Sequence, residues 1–222
     1  MDNHPVRILD TKWVTHNVRQ FTIERPAGYS FIPGQATDVA IDRPGWQDEL
    51  RPFTFTCLPS DPHLEFTIKI YRDRKGVTAM LGNLIPGERI ILHEVFGAIQ
   101  YKGKGTFIAG GAGITPFIAI LRDLYTRKEL EGNRLFFSNK TFADVILEDE
   151  LSKMLKEDFI SVITHESRNG KPARRINRDY LEEHLTDYKQ HFYLCGPDAF
   201  VSDIRSHLES LGAKTDTVVF EK

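Results

Sequence analysis

One glycine-rich turn in the chain has the residue types and spacing of a phosphate-binding site. The motif Gly111-x-Gly113-x-x-Pro116 follows a short apolar strand, Thr106 to Ala109, and precedes apolar residues at helical spacing. We expect Thr115 to be the helix N-cap and Pro116 to occupy the first helical position. Free backbone N–H groups and the positive end of a helix dipole then meet at one point, which suits a pyrophosphate. A glycine turn that binds nothing is the alternative.

A second candidate site is the tetrapeptide Arg51-Pro52-Phe53-Thr54 in the first half of the chain. The arginine could bind a phosphate through two hydrogen bonds. The phenylalanine ring could cover an aromatic cofactor, and the threonine hydroxyl could both donate and accept a hydrogen bond. Taken alone, these residues fit a strand-start arginine beside a core phenylalanine better.

Two further turns carry weaker signals. The segment Lys75–Thr78 precedes a short predicted helix, so its glycine could open a second anion site. The segment Cys195–Asp198 ends a predicted strand and starts a helix, which places Cys195 at the edge of a sheet where cofactors bind. A buried cysteine acting as a small hydrophobe is the alternative for Cys195.

Composition excludes several other classes of function. The chain has 222 residues, 41% apolar and 27% charged, with a net charge of −2, so there is no global basis for nucleic-acid or membrane binding. Two cysteines are too few for an iron–sulfur cluster. There is no Gly-x-Ser-x-Gly elbow, no His-Glu-x-x-His helix and no metal site. We see no signal peptide or spanning segment and predict a reducing, cytoplasmic location.

The elements that must position these turns follow two patterns. Residues 1–100 read as about six short antiparallel strands with turns between them, which predicts a small β-barrel. The expected strands are Val18–Arg25, Gln35–Ile41, Phe53–Cys57, Leu64–Tyr71 and Arg89–Val95, with a short helix at Thr78–Leu84.

Residues 105–222 alternate strands with helices, which predicts an open parallel sheet that binds ligands at the carboxyl ends of its strands. We therefore predict two domains, residues 1–101 and 102–222, joined near Tyr101–Lys104. The expected strands are Thr106–Ala109, Leu135–Ser138, Ile160–Thr164, Phe192–Cys195 and Thr217–Phe220. The expected helices are Pro116–Tyr125, Asp144–Leu155, Arg178–Leu185 and Asp198–Leu211.

The four motifs, in this order along nearly the whole chain, resemble the ferredoxin–NADP(+) reductase family. The family pattern is Arg-x-Tyr-Ser, a Gly-x-x-Ser-like turn, Gly-x-Gly-x-x-Pro and Cys-Gly-Pro. The resemblance implies an antiparallel β-barrel that binds FAD, followed by an α/β parallel-sheet domain that binds NAD(P)H. It also implies electron transfer from NAD(P)H through the flavin to a flavodoxin or ferredoxin.

The resemblance assigns roles to individual residues. Arg51 would bind the flavin phosphate, Phe53 would pack on the ring, and Thr54 would lie near flavin N5 while Cys195 lies beside nicotinamide C4. The remaining implied cofactor-binding residues are Pro52, Ile68, Lys69, Ile70, Gly76, Val77, Thr78, Gly111, Gly113, Ile114, Thr115, Pro116, Asn139, Lys140, Gly196 and Pro197.

Two departures from the family leave alternatives open. The place of the family's Ser-Arg-Glu reads Thr164–Glu166, with Lys140, Arg168 and Lys171 near it, which favours NADH only slightly over NADPH. The tail continues past Phe220, so stacking of that ring on the flavin is doubtful. A free-flavin reductase and a non-catalytic NAD(P)-sensing or electron-transfer subunit are the alternative functions. Lys69, Arg72, Arg74 and Lys75 form a basic patch for an acidic carrier.

Overall fold

The computed structural model of the protein describes residues 3–167, 172–214 and 218–220. The first half forms a six-stranded antiparallel sheet in the order β4-β3-β6-β1-β2-β5. The strands are β1 (His4–Trp13), β2 (Val18–Ile23), β3 (Ala36–Ile41), β4 (Arg51–Thr54), β5 (Leu64–Lys69) and β6 (Arg89–Phe96).

The sheet curls so that its two edges meet. Phe55, just after β4, forms an antiparallel bridge with Phe66 of β5, and their rings lie 5.1 Å apart. Inward-facing residues of all six strands surround these rings, and the helix α1 (Val77–Leu81) adds Val77 and Leu81 to the same core. This closed sheet confirms the predicted barrel. Closure also removes the exposed strand edges that an open sheet would have.

The second half is a five-stranded parallel sheet in the order β11-β10-β7-β8-β9. Its strands are β7 (Gly105–Gly110), β8 (Arg134–Asn139), β9 (Phe159–Ile163), β10 (His191–Cys195) and β11 (Val218–Phe220). Its helices are α2 (Thr115–Thr126), α3 (Glu148–Leu155), α4 (Arg178–His184) and α5 (Asp198–Ser210). The order of the strands reverses at the pair β7 and β10, so a ligand crevice is expected at the carboxyl ends of these two strands.

The segment that joins the two sheets is held by the second one. The Tyr193 hydroxyl on β10 accepts from the N–H groups of Lys102 and Gly103 at 2.9 and 3.1 Å and donates to the Gly103 carbonyl at 2.7 Å. Its ring stacks on Phe107 with centroids 4.4 Å apart. Burial raises the pKa of Tyr193, so the hydroxyl keeps its proton.

The main difference from the sequence prediction is β1, which no predicted strand covered. Its residues from Leu9 to Trp13 are partly or fully exposed, so the apolar alternation is confined to Val6 and Ile8. Other elements differ at their ends. Phe53–Cys57 is a strand only to Thr54, and Asp144–Leu155 is a 3-10 turn (Phe142–Asp144) followed by α3.

Candidate functional site

A cleft of about 540 Å³ lies at the carboxyl ends of β7, β8 and β10, against one end of the barrel. The barrel supplies Asn17, Val18, Lys69 and Tyr71 to its walls. The parallel-sheet half supplies Gly110, Gly111, Ala112, Gly113, Ser138, Asn139, Lys140, Asp144, Ile146, Thr164, Cys195, Gly196, Pro197 and Phe200. The cleft therefore lies at the expected switch point of the sheet and is bounded by both halves of the chain.

The predicted glycine turn forms the floor of the cleft, and its backbone lies against β10. A Cβ atom on Gly113 would stand 2.4 Å from both the carbonyl carbon and the oxygen of Cys195. Gly111 has φ of +53°, in the left-handed region that glycine adopts most easily. Only glycine at position 113 lets the turn approach Cys195 this closely, so the spacing of the motif has a steric cause.

The predicted role of Thr115 as N-cap is wrong. Residues Gly111–Ile114 form a 3-10 turn that continues directly into α2, and the N-cap position falls on Ile114. Thr115 is already helical, and its hydroxyl donates to the Ala112 carbonyl at 3.1 Å. Pro116 lies in the first turn of the helix, as predicted. No side chain caps the backbone N–H groups at this end of the helix.

Asn139 is the most informative side chain in the cleft. It is 5% exposed, and neither its Nδ2 nor its Oδ1 atom has a hydrogen-bond partner among the residues that the structure describes. Its backbone carbonyl accepts from the Thr164 N–H at 2.9 Å, which fixes the residue at the cleft edge. Buried amides without partners are rare and costly. A ligand with both a donor and an acceptor in the cleft would satisfy this amide.

Cys195 is buried at the end of β10 and lines the cleft, as the sequence placed it. Gly196 follows it with φ of +157°, and a Cβ there would stand 2.9 Å from the Phe200 ring. Pro197 then begins α5 as its N-cap residue. This turn has no room for a side chain at Gly196, because the Phe200 ring and the Gly110 backbone lie against it.

The barrel wall of the cleft ends in Lys69. Its neighbours Ile68 and Ile70 are 3% and 4% exposed and pack in the barrel core, so their side chains do not reach the cleft. The Ile70 N–H donates to the Asn17 carbonyl at 2.8 Å, which brings the β1–β2 loop to the same wall. Of the predicted residues in this strand, only Lys69 offers its side chain to a ligand.

The remaining predicted flavin residues lie outside the lining of this cleft. Arg51 is exposed at the start of β4, where its guanidinium donates to the Leu50 carbonyl at 2.5 Å and lies 4.0 Å from Glu49. The half-buried Phe53 ring lies 6.4 Å from that of Phe66, and Thr54 is also half-buried. The Arg51–Thr54 motif is therefore not part of the cleft lining, and its predicted roles remain predictions.

The second predicted anion turn precedes a helix of five residues. Gly76 has extended backbone, and a Cβ there would meet no atom within 4 Å. Val77 is buried in the barrel core and Thr78 is half-buried, so the turn offers its backbone, the Thr78 hydroxyl and the exposed Lys75 to a ligand. The helix is too short to add a large dipole effect. The predicted contacts of Gly76, Val77 and Thr78 remain untested.

Some of the residues that were considered for selection between NADH and NADPH already form hydrogen bonds within the protein. Glu166 accepts from the Phe142 N–H at 2.9 Å, and the backbone carbonyl of the exposed Lys140 accepts from the His165 N–H at 2.9 Å. Arg168 and Lys171 lie outside the described residues, and so does the side chain of Phe220. The described part of this edge offers Lys140 as a cation beside the cleft.

Several residues of the cleft carried no signal in the sequence. Asn17, Val18 and Phe200 come from a loop, a strand start and a helix face that look ordinary. Asn17 and Val18 follow the unpredicted strand β1, so the loop could not be placed without it. Phe200 was expected on the buried face of α5, and it reaches the cleft because Gly110 and Gly196 leave room for its ring.

Residues 107–206 match the family model described as the oxidoreductase NAD-binding domain. This half of the chain is therefore similar to oxidoreductase NAD-binding domains. The match covers the glycine turn, Asn139 and Cys195, which are the residues that form the cleft. It supports the predicted use of a nicotinamide nucleotide.

Solved structures extend the comparison to the whole chain. The FAD/NAD-binding domain of nitric oxide dioxygenase from Vibrio cholerae has a TM-score of 0.87 at 19% identity, covering 100% of this chain and 98% of that one. A ferredoxin NADP+ reductase from Neisseria gonorrhoeae with bound FAD and NADP has a TM-score of 0.84 at 21% identity, covering 100% and 98%. The predicted two-part fold and the resemblance to the ferredoxin–NADP(+) reductase family are confirmed.

Similar sequences include reductases with different partners. The reductase component of propane 2-monooxygenase from Rhodococcus jostii is 29% identical over 89% of this chain and 56% of that protein. An NADH-cytochrome b5 reductase 1 from Aspergillus terreus is 28% identical over 90% of this chain and 74% of that protein. The chain thus spans between 56% and 60% of the first three relatives that it matches. Among the described residues, no helix combines the length and apolar character needed to cross a bilayer.

Proposed function

We propose that this chain is an FAD-dependent oxidoreductase that takes electrons from NAD(P)H and delivers them to a flavodoxin or ferredoxin. The observation that carries the proposal is the unsatisfied amide of Asn139 in a cleft at the switch point of the sheet. A nucleotide supplies both donors and acceptors to such an amide. The glycine turn beside it offers backbone N–H groups to a pyrophosphate.

The residues present fit both cofactors. Gly111, Gly113 and Cys195 leave a backbone surface without side-chain obstruction for the nicotinamide nucleotide. Arg51 is exposed and can turn toward a flavin phosphate, because its present contacts are one carbonyl and one distant carboxylate. FAD, when bound, would supply acceptance of a hydride and release of single electrons. The chain's own residues would then bind, orient and shield the reacting groups.

The cation set beside the cleft favours an acidic partner. Lys69 and Tyr71 line the cleft, and the exposed Arg72, Arg74 and Lys75 continue the same surface. The guanidinium of Arg74 lies 4.8 Å from the Tyr71 ring centroid. An aromatic ring can hold a cationic side chain near one edge of a cleft, where its positive charge attracts an acidic carrier protein. The relatives named as reductase components support a protein acceptor over a small molecule.

One observation favours a second function, the reduction of free flavin. Apart from Lys69, the residues predicted to hold the flavin lie outside the cleft lining, and Arg51 is 52% exposed in its side chain. A flavin held there would be loosely bound and could leave as a substrate. A non-catalytic NAD(P)-sensing or electron-transfer subunit is the remaining alternative.

The absorption spectrum of the purified protein separates these functions. A yellow protein that bleaches with NADH or NADPH supports the proposed reductase, and a colourless one that reduces added riboflavin supports the free-flavin reductase. A yellow protein that bleaches with neither nucleotide would contradict both enzymes. We expect bleaching to be somewhat faster with NADH, because the described edge offers only Lys140 to a 2′-phosphate.

A further inference from the structure

Arg122, on α2, joins the two halves of the chain behind the cleft. Its Nη1 donates to the Thr56 carbonyl and to Glu65 Oε1 in the barrel at 2.6 and 2.7 Å. Its Nε and Nη2 donate to the two carboxylate oxygens of Glu150 on α3 at 2.6 and 2.9 Å. The arginine side chain is 19% exposed, so this cluster is largely shielded from water.

The charge of Arg122 is secured by its partners. Burial alone would lower its pKa, but the hydrogen bonds and charges of Glu150 and Glu65 outweigh burial and raise the pKa above its ordinary value. Glu65 is itself held in place, since it also accepts from the Thr56 hydroxyl at 2.7 Å. The guanidinium therefore keeps its positive charge between Glu65 and Glu150.

Each element that Arg122 joins also reaches the cleft. The helix α2 begins directly after the glycine turn, and β5, which carries Glu65, ends at Lys69 in the opposite wall. The segment just before α3, which carries Glu150, contributes Asp144 and Ile146. A single side chain thus joins three elements, each of which continues into a wall of the cleft.

We propose that Arg122 is a positioning residue that sets the separation of the cleft walls and thereby the affinity for the nicotinamide nucleotide. The Glu65 arm ties the halves together, and the Glu150 arm holds the guanidinium in the orientation that reaches Glu65. Lysine cannot replace it, because an ammonium is a point charge without the planar fork that serves both carboxylates. The nucleotide part of this proposal rests on the proposed function.

The first experiment needs no cofactor. Hydrogen–deuterium exchange of the free protein is compared among the parent, Arg122→Met, Arg122→Lys and Arg127→Met. Arg127 is the matched control, because it pairs with Asp123 and Glu129 on the surface of the same half. We expect faster exchange in Arg122→Met at Gly110–Ile114 and at the end of β5, and parent-like exchange in Arg127→Met. The core strand β8 reports global unfolding and should stay protected in all variants.

The second experiment measures nucleotide affinity by calorimetry with NAD+ and NADP+. Arg122→Met and Glu65→Gln should each weaken binding about 2- to 30-fold, the range expected for residues that couple distant sites. Arg122→Lys should fall between them and the parent. Glu150→Gln should weaken binding less than Glu65→Gln, because the contacts of Arg122 that cross between the halves go to Glu65 and the Thr56 carbonyl, whereas Glu150 lies in the same half as Arg122. Flavin content should be the same in all variants.

The outcomes separate this proposal from the proposed function. If the parent binds neither nucleotide, the proposed function fails, and the exchange experiment still decides whether Arg122 holds the walls. Unchanged exchange at both walls in Arg122→Met overturns the positioning role, even if the parent binds nucleotide. Equal losses of affinity in Glu65→Gln and Glu150→Gln, or faster exchange throughout β8, would show that Arg122 acts only through overall stability.

Discussion

At the scale of single residues, the site separates into groups that the structure brings together and groups that it leaves apart. Cys195, Asn139 and Lys69 line one cleft, whereas Arg51 and Thr54 are not among its lining residues. The assigned roles of the latter pair depend on the family resemblance. They are therefore the residues for which a mutation is most informative.

Flavin retention tests Arg51. A charge-assisted contact to phosphate contributes about 1.5–3 kcal/mol, or about tenfold or more in affinity, so Arg51→Ala should purify with less flavin per protein. The flavin absorbance of the denatured protein gives the occupancy. Arg89→Ala is a suitable control, since Arg89 is an exposed arginine that pairs with Asp42 on the barrel. Equal occupancy in Arg51→Ala and the parent would remove Arg51 from the flavin site.

Hydride transfer tests Cys195 and Thr54. Small displacements of reacting groups lower rates steeply, so Cys195→Ala and Thr54→Val should slow flavin bleaching in a single turnover with FAD still bound. Cys57→Ala is the matched control. Burial raises the pKa of Cys57 to about 11, so that thiol remains protonated and inert inside the barrel. Parent-like bleaching in both test variants would place neither residue at the reaction centre.

At this scale the sequence predicted types of residue better than their contacts. It placed Cys195 and the glycine turn correctly, because a strand end and a glycine spacing are local signals. No residue pattern marks Glu150 as a partner of Arg122, yet Glu150 bonds to Arg122. That contact joins residues 28 positions apart and depends on tertiary packing that no local pattern records.

At the scale of elements, the close approach of the glycine turn to β10 is the feature that shapes the nucleotide side of the cleft. The elements themselves were largely predictable, since apolar periodicity identified ten of the eleven strands found among residues 3–167, 172–214 and 218–220. The exception, β1, has a short apolar alternation and a long exposed end. Its absence from the prediction also hid the loop that carries Asn17.

Substitution at Gly113 tests the close approach. A methyl group there meets the Cys195 carbonyl at 2.4 Å, and both neighbours are backbone, so one of the two elements must move. Overpacking of this kind costs about 1–3 kcal/mol of stability. Gly113→Ala should lower the melting temperature and weaken NAD(P)+ binding in calorimetry, while flavin content changes little.

The control for this substitution is Gly76→Ala. Gly76 has extended backbone and open space at its Cβ position, so it should leave the melting temperature and nucleotide binding near those of the parent. If Gly113→Ala binds nucleotide as the parent does, the turn does not form the nucleotide site.

At the scale of the whole molecule, the sequence changes from short strands to strands that alternate with helices. This change predicted an antiparallel and a parallel sheet, and the fold confirms both sheets. The arrangement of one half against the other could not be predicted, because it depends on single contacts such as Arg122 with Glu65. The boundary at residues 101 and 102 stays a prediction. The antiparallel sheet ends at Phe96 and the parallel sheet begins at Gly105.

Charge steering of a carrier belongs to this scale. Transient redox contacts are small, so attraction between the basic patch and an acidic flavodoxin should govern the rate of association. Salt near 0.15 M, with a Debye length of about 8 Å, should slow flavodoxin reduction in stopped flow and leave a small neutral acceptor unaffected. The double variant Arg72→Glu/Arg74→Glu should show the high-salt rate already at low salt.

The control variant is Arg178→Glu/Lys189→Glu, which makes the same change of charge at exposed positions of the parallel-sheet half. It should keep the salt dependence of the parent. If neither salt nor the charge reversal at Arg72 and Arg74 changes the rate of flavodoxin reduction, the carrier docks elsewhere. The free-flavin reductase would then gain support.

The bonds from Tyr193 to the joining segment set an order for biosynthesis. Every barrel strand has left the ribosome long before residue 193 is made, so the barrel can close first. The backbone at Lys102 and Gly103 gains its hydrogen-bond partner, the Tyr193 hydroxyl, only when β10 pairs with β7. Tyr193 is made about 90 residues later. A nascent chain that ends before residue 193 therefore carries a closed barrel followed by a joining segment that lacks its hydrogen bonds to Tyr193. Release of a truncated product would leave a domain with no fixed orientation for its cofactor.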